Sequence, residues 1–209
     1  LAASHRGFTF VSETGEAVTV KGGAATAVNL HGLSVPVAES PPPAGSPDDP
    51  GFGSLWGLSN VGQFSGVPGT DISIAEAWKT TRGAKELVVA VIDAGIDFQH
   101  PDLLGSAWVN LGEVAGNGDQ NGIVDDINGA DLLRGVGSIE PGFHGTHVAG
   151  TIAARGSNAI GVTGVSPHVS LMSAQVFHEG ATAFSAILRA YDYVLRMKQR
   201  GVNIRVVNA

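Results

Sequence analysis

Glu86-Leu87-Val88-Val89-Ala90-Val91-Ile92-Asp93-Ala94-Gly95 runs six apolar residues together directly before an acid. A strand with one wet face would alternate apolar and polar residues. An unbroken run rich in β-branched side chains instead suits a strand covered on both faces. The stretch therefore predicts a central strand of a parallel sheet with helices on either side. The run ends at Asp93. In open α/β sheets, ligands gather outside the carboxyl ends of the strands. Asp93 thus has two readings: a functional carboxylate at the sheet edge, or a cap of the turn that follows.

Downstream, the alternation of strand and helix continues. Val169 to Phe177 reads as a second strand. After it, Phe184, Ile187, Leu188, Tyr191, Val194 and Leu195 follow the three-four spacing of an amphipathic helix. Arg196, Lys198 and Arg200 suit the negative end of its dipole, and Gly201 stops it. Val202 to Val207 opens a further strand. Strands separated by helices predict an α/β fold in three layers, a mostly parallel sheet between helices, with right-handed crossovers.

Upstream, Phe8–Val11 and Ala17–Val20 flank Glu13-Thr14-Gly15-Glu16 and predict a β-hairpin. From Glu39 to Pro50 prolines crowd the chain, and an extended linker is expected there. The expected organisation is a short β-rich extension with its Pro-rich linker over residues 1–45, then one larger domain over 46–209. Within the latter, Ser73 and Glu76 have the spacing of a capping box, so a short helix is expected there.

Phe143-His144-Gly145-Thr146-His147-Val148-Ala149-Gly150-Thr151 is the most distinctive remaining stretch. Residues this small on successive turns predict a helix buried on most sides. His144 at its entrance is either a proton shuttle or a hydrogen-bonded histidine at a helix start. A third signal is charge. Between Lys85 and Arg134 there are nine acids and no Lys or Arg. Inside that region Asn117, Asp119, Asn121, Ile123 (through its carbonyl), Asp125 and Asp126 have the alternate-oxygen spacing, with Gly122 sixth, of a loop wrapped around Ca²⁺. The other reading is a solvated turn held by Asn and Asp side chains.

Composition narrows the partners. A net charge of -7 argues against a nucleic-acid surface, which needs a concentrated basic stripe. The longest apolar run falls far short of the roughly 20 residues of a membrane helix. With no cysteine there is neither a disulfide framework nor a thiolate metal site. The chain starts at Leu1 without the pattern of a signal peptide, so any such leader is expected to have been removed or never present.

Val89 to Asp97 with His100-Pro101-Asp102-Leu103, then His144 to Gly150, then Ile160 to Pro167, resemble the subtilisin-like serine proteases in motif and in order. The resemblance covers roughly residues 46–209. It implies that Asp93 is the triad aspartate, His144 the triad general base and His147 a structural histidine. It also implies a secreted endopeptidase acting on polypeptides, stabilised by Ca²⁺, with substrate lying along Gln175 to Ala181. The family's nucleophile belongs to a Gly-Thr-Ser-Met-Ala-like segment that this sequence does not contain, so the chain by itself is expected to be inactive. Ala94 and Phe143 depart from the family's usual residues at their positions. Asp131 resembles the start of a second cation loop, but Leu132, Leu133 and Arg134 lack the acids to complete it. A catalytically inactive, calcium-dependent binding module of the same family is the alternative these departures motivate.

Overall fold

The computed structural model describes residues 45–113 and 121–209, together with the backbone of four short strands near the N-terminus. The chain divides into two compact units, one of Leu1–Gly45 and Gly53–Ile74, the other of Ser46–Phe52 and Ala75–Ala209.

In the first unit, β1 (Phe8–Val11) pairs antiparallel with β2 (Ala17–Val20), Phe8 opposite Val20, as the hairpin pattern predicts. A second antiparallel pair joins β3 (Thr26–Val28) to β4 (Ser34–Pro36). Asp71 organises the residues that follow Gly53. Its carboxylate accepts from the N–H groups of Asn60 at 2.8 Å and Ser73 at 2.7 Å, which hold its pKa below the usual carboxylate range. Ser73 is not the N-cap its spacing suggested. Its φ of +54° is left-handed, whereas an N-cap is extended. The helix after it, α1 (Ile74–Trp78), is a single turn.

The second unit holds a four-stranded parallel sheet, as expected. Its strands are β5 (Val88–Ala94), β6 (Gly129–Asp131), β7 (Ser170–Phe177) and β8 (Ile204–Asn208), in the order β6-β7-β5-β8. Two longer helices cover it, α2 (Phe143–Ala153) and α3 (Phe184–Gln199). The apolar run of β5 sorts by parity. Val88, Ala90 and Ile92 join Met172, Ala174 and Val176 of β7 in a core closed by Ala186, Ala190, Tyr193, Val194 and Met197 of α3. Val89 and Val91 join Leu171 in a second core with Ala149 and Ala153 of α2. Both faces of one strand are thus buried under opposite layers, the physical reason its sequence does not alternate.

Two expectations fail in part. Helix α2 is buried along one stripe, Gly145, Ala149 and Ala153, while Phe143 and His147 are exposed. On α3 the spacing marked Phe184, Ile187, Leu188, Tyr191, Val194 and Leu195 as inward; Val194 is buried and Ile187 packs against the core, but the other four are exposed, and Ala186 and Ala190 are buried instead. Ala186 and Ala190 let the first half of the helix approach the strands closely, and Tyr193, Val194 and Met197 fill the second half of the contact. Residues just after the expected boundary at 45 belong to the second unit. Asp49 is buried and accepts from the N–H groups of Ser157 at 2.8 Å and Asn158 at 3.1 Å, and Gly51 N–H donates to Gly161 O. Among the described residues, no helix is long and apolar enough to cross a membrane.

Candidate active site

Two sequence-distant residues meet at the carboxyl end of β5. Asp93 is the penultimate residue of that strand, and His144 lies in the first turn of α2. Imidazole Nδ1 stands 2.7 Å from Asp93 Oδ1 and 2.9 Å from Oδ2. Oδ1 also accepts from the Ala94 N–H at 2.6 Å. The carboxylate side chain is 12% exposed and the imidazole 75% exposed. A buried acceptor thereby fixes one ring nitrogen as the N–H and leaves Nε2 as the free base on an accessible ring.

Close backbone packing makes this meeting possible. A Cβ at Gly145 would overlap the carbonyl oxygen of Ala94, and one at Gly142 would come 2.5 Å from Ala94 Cβ. Gly142 N–H also donates to Gly95 O at 2.7 Å. The helix entrance can reach the strand end only because both positions lack side chains. Ala94, which departs from the family's usual residue, therefore contributes its small size to this junction.

A charged chain flanks the pair. Asp131 is fully buried, and its Oδ1 accepts from the N–H groups of Leu133 and Arg134, both at 2.9 Å. Arg134 Nε donates to Asp131 Oδ2 at 2.6 Å, and its Nη1 donates to Glu140 Oε1 at 2.6 Å. Hydrogen bonds to Asp131 and then to Glu140 hold the guanidinium pKa above its ordinary value. Glu140 Oε2 in turn lies 3.0 Å from His178 Nδ1. The acids that would complete a second cation loop are absent, and a guanidinium meets Asp131 instead.

The edge proposed for substrate is shorter than the sequence suggested. Gln175 is buried and pairs with Asp131 of β6. His178 and Ala181 exchange two backbone hydrogen bonds across Glu179 and Gly180, whose φ angles are +49° and +79°. Two successive positive φ values make a tight hairpin turn, so the polar groups of His178 and Ala181 are already paired. His147 is exposed and stacks on Phe143 with ring centroids 6.2 Å apart.

Of the residues proposed to hold Ca²⁺, Asn117 and Asp119 lie outside the described residues. Asn121 Oδ1 accepts from Ile123 N–H at 2.7 Å, the turn geometry of the alternative reading. Asp125 is exposed with φ +60°. Asp126 is fully buried and does not fit the part of a cation ligand in this arrangement. Its Oδ1 accepts from Asn110 Nδ2 at 3.1 Å, and its Oδ2 from Asn121 Nδ2 at 2.8 Å and Tyr193 OH at 2.6 Å. Asp126 thus ties the loop to α3. Tyr193→Phe is expected to lower stability by about 1.5–3 kcal/mol, the worth of one hydrogen bond to a charge. Asp126→Ala, which leaves behind at least the donors of Asn110, Asn121 and Tyr193, should cost roughly 3 kcal/mol or more in urea unfolding.

Comparison with known proteins places the chain in a family. The model of the Subtilase family matches residues 84–209, more than half of the chain. The chain belongs to the subtilases. It is 36% identical over 135 residues to Subtilisin-like protease 1 of Plasmodium berghei (strain Anka), covering 62% of this chain and 22% of that one. It is 33% identical over 129 residues to the Major intracellular serine protease of Bacillus subtilis (strain 168), covering 61% and 36%. Among solved structures, the Aeromonas sobria serine protease in complex with its chaperone ORF2 superposes with a TM-score of 0.52 at 26% identity, covering 71% of this chain and 23% of that chain. The chain therefore spans about a fifth to a third of the length of these proteins.

Proposed function

We propose that this chain is the Asp- and His-bearing part of a subtilisin-type serine endopeptidase, with His144 the general base and Asp93 the acid that orients it. The observation that carries this reading is the pair of contacts, 2.7 and 2.9 Å, between His144 Nδ1 and Asp93. With Nδ1 holding its proton toward Asp93, Nε2 can take the proton of a serine hydroxyl as that oxygen attacks the carbonyl carbon of a peptide. The same Nε2–H then protonates the departing amine. The serine would come from the Gly-Thr-Ser-Met-Ala-like segment that the family carries beyond the part matched here. Family membership supports polypeptide substrates.

The test uses the product of the complete coding sequence. Casein hydrolysis and labelling by a serine-directed fluorophosphonate should both be present, and both should collapse in His144→Ala. Unchanged hydrolysis in His144→Ala would remove the assignment.

A further inference from the structure

We propose that Glu140 is a positioning residue for His144, held by a clamp of Asp131, Arg134 and His178. The inference rests on the reading of Asp93 and His144 given above, and adds to it the device that sets their separation.

Glu140 lies four residues before His144 and meets the end of the sheet at two points beside Asp93. On the strand side, its carbonyl oxygen sits so close to Gly95 that a Cβ there would overlap it. On the sheet side, its N–H donates to Gln175 Oε1 at 3.0 Å, and Gln175 is the β7 residue in register with Asp93. Two residues on, Gly142 N–H bonds to Gly95 O at 2.7 Å as the helix begins. The backbone of Glu140 is therefore the joint through which the end of β5 and the start of α2 are held at a fixed distance.

Its side chain determines whether that joint stays closed. One carboxylate oxygen accepts from Arg134 Nη1 at 2.6 Å and the other faces His178 Nδ1 at 3.0 Å. Arg134 is itself anchored through Nε to fully buried Asp131. The clamp thus runs from a rigid point in the sheet, across a guanidinium that spans two carboxylates, to a turn at the end of β7. Only Arg can make both contacts at once, since its N–H groups point in fixed and different directions. Glu140 is 48% exposed, Arg134 39% and His178 35%. Exposed pairs of this kind add little to global stability. Their contribution here is geometric, because misplacement of a reacting group by about 1 Å can cost on the order of 100-fold in rate.

The experiment measures the Nδ1 proton resonance of His144 by NMR, with Asp93→Asn as the control that removes it. It also measures kcat and KM for the complete coding product. Glu140→Ala and Arg134→Ala should each broaden or lose the resonance and lower kcat roughly 10–100-fold, with KM within about threefold. The melting temperature of Glu140→Ala should fall by only a few degrees, as expected for an exposed pair, whereas Arg134→Ala should lose more, because it leaves fully buried Asp131 without its guanidinium. Glu140→Gln, which keeps the shape and one acceptor, should recover part of the effect, whereas Arg134→Lys should not. An unaltered resonance and an unaltered kcat in Glu140→Ala and Arg134→Ala would overturn the proposal. The resonance is read without substrate, so a wild type devoid of His144-dependent hydrolysis would count against the peptidase reading alone.

Discussion

Asp93→Asn is expected to lower kcat by about 10⁴-fold while leaving KM within a few-fold, because the substitution preserves shape and inverts hydrogen-bond logic. The carboxylate can only accept, so it dictates that Nδ1 of His144 carries the proton. An asparagine amide can donate to Nδ1 instead. The ring proton then moves to Nε2, where no base remains to accept the hydroxyl proton of a serine. Ala94 N–H would still find an acceptor in the Asn carbonyl oxygen, so the strand end need not rearrange. Steady-state kinetics of the complete coding product, alongside a thermal melt, separate the two explanations of a loss. A variant with native melting and a collapsed kcat supports the orienting role. A variant with native melting and wild-type kcat would show that Asp93 is merely a turn cap.

The parts of this fold legible in the sequence are those encoded by contiguous residues. The run before Asp93 announces a doubly covered strand because burial on both faces removes the need to alternate, and the structure distributes its side chains between two cores. The Gly and Ala positions of α2 announce close approach. His144 and Asp93 were singled out because each stands at the end of such an element, where a strand tip and a helix entrance can converge.

What the sequence concealed depends on partners far apart in the chain. Glu140 and His178 are separated by a helix and a strand, and neither has a neighbour in sequence that hints at the other. Asp126 reads in the sequence as an oxygen ligand of a Ca²⁺ loop, yet Tyr193 reaches it from α3 and makes it a buried acceptor. The apolar stripe of α3 was assigned correctly only at Ile187 and Val194, for a related reason. Spacing identifies a face, but Phe184, Leu188, Tyr191 and Leu195 define one face while Ala186 and Ala190 define the one that touches the sheet. A hydrophobicity pattern ranks the large residues first. Packing against the sheet selects small residues where the helix comes closest, at Ala186 and Ala190, and large ones at Tyr193, Val194 and Met197.

The second large effect follows from two glycines in one helix that should respond oppositely to the same change. Gly150→Ala should stabilise the chain by about 0.5–1 kcal/mol, since alanine is the better helix former and a Cβ there meets nothing within 4 Å. Gly145→Ala brings the same gain in propensity and a steric conflict far larger than it. The added methyl would overlap the carbonyl carbon and oxygen of Ala94 and come 2.9 Å from Gly95 O, all backbone atoms that no rotamer change can relieve. Either α2 withdraws from β5 or the strand end shifts, and both movements uncover Ala149 and Ala153, which are fully buried against the sheet. A loss of roughly 3 kcal/mol or more is expected, at the upper end of single substitutions that overpack a core. Withdrawal by even 1 Å would also stretch the contact of His144 with Asp93 beyond hydrogen-bond range, so the Nδ1 resonance should vanish in the fraction that remains folded. Urea unfolding of the two variants side by side tests the argument. Equal and opposite shifts of a few tenths of a kcal/mol, or a stabilised Gly145→Ala, would mean that the helix is not held against the strand end as described, and that the meeting of acid and imidazole has some other cause.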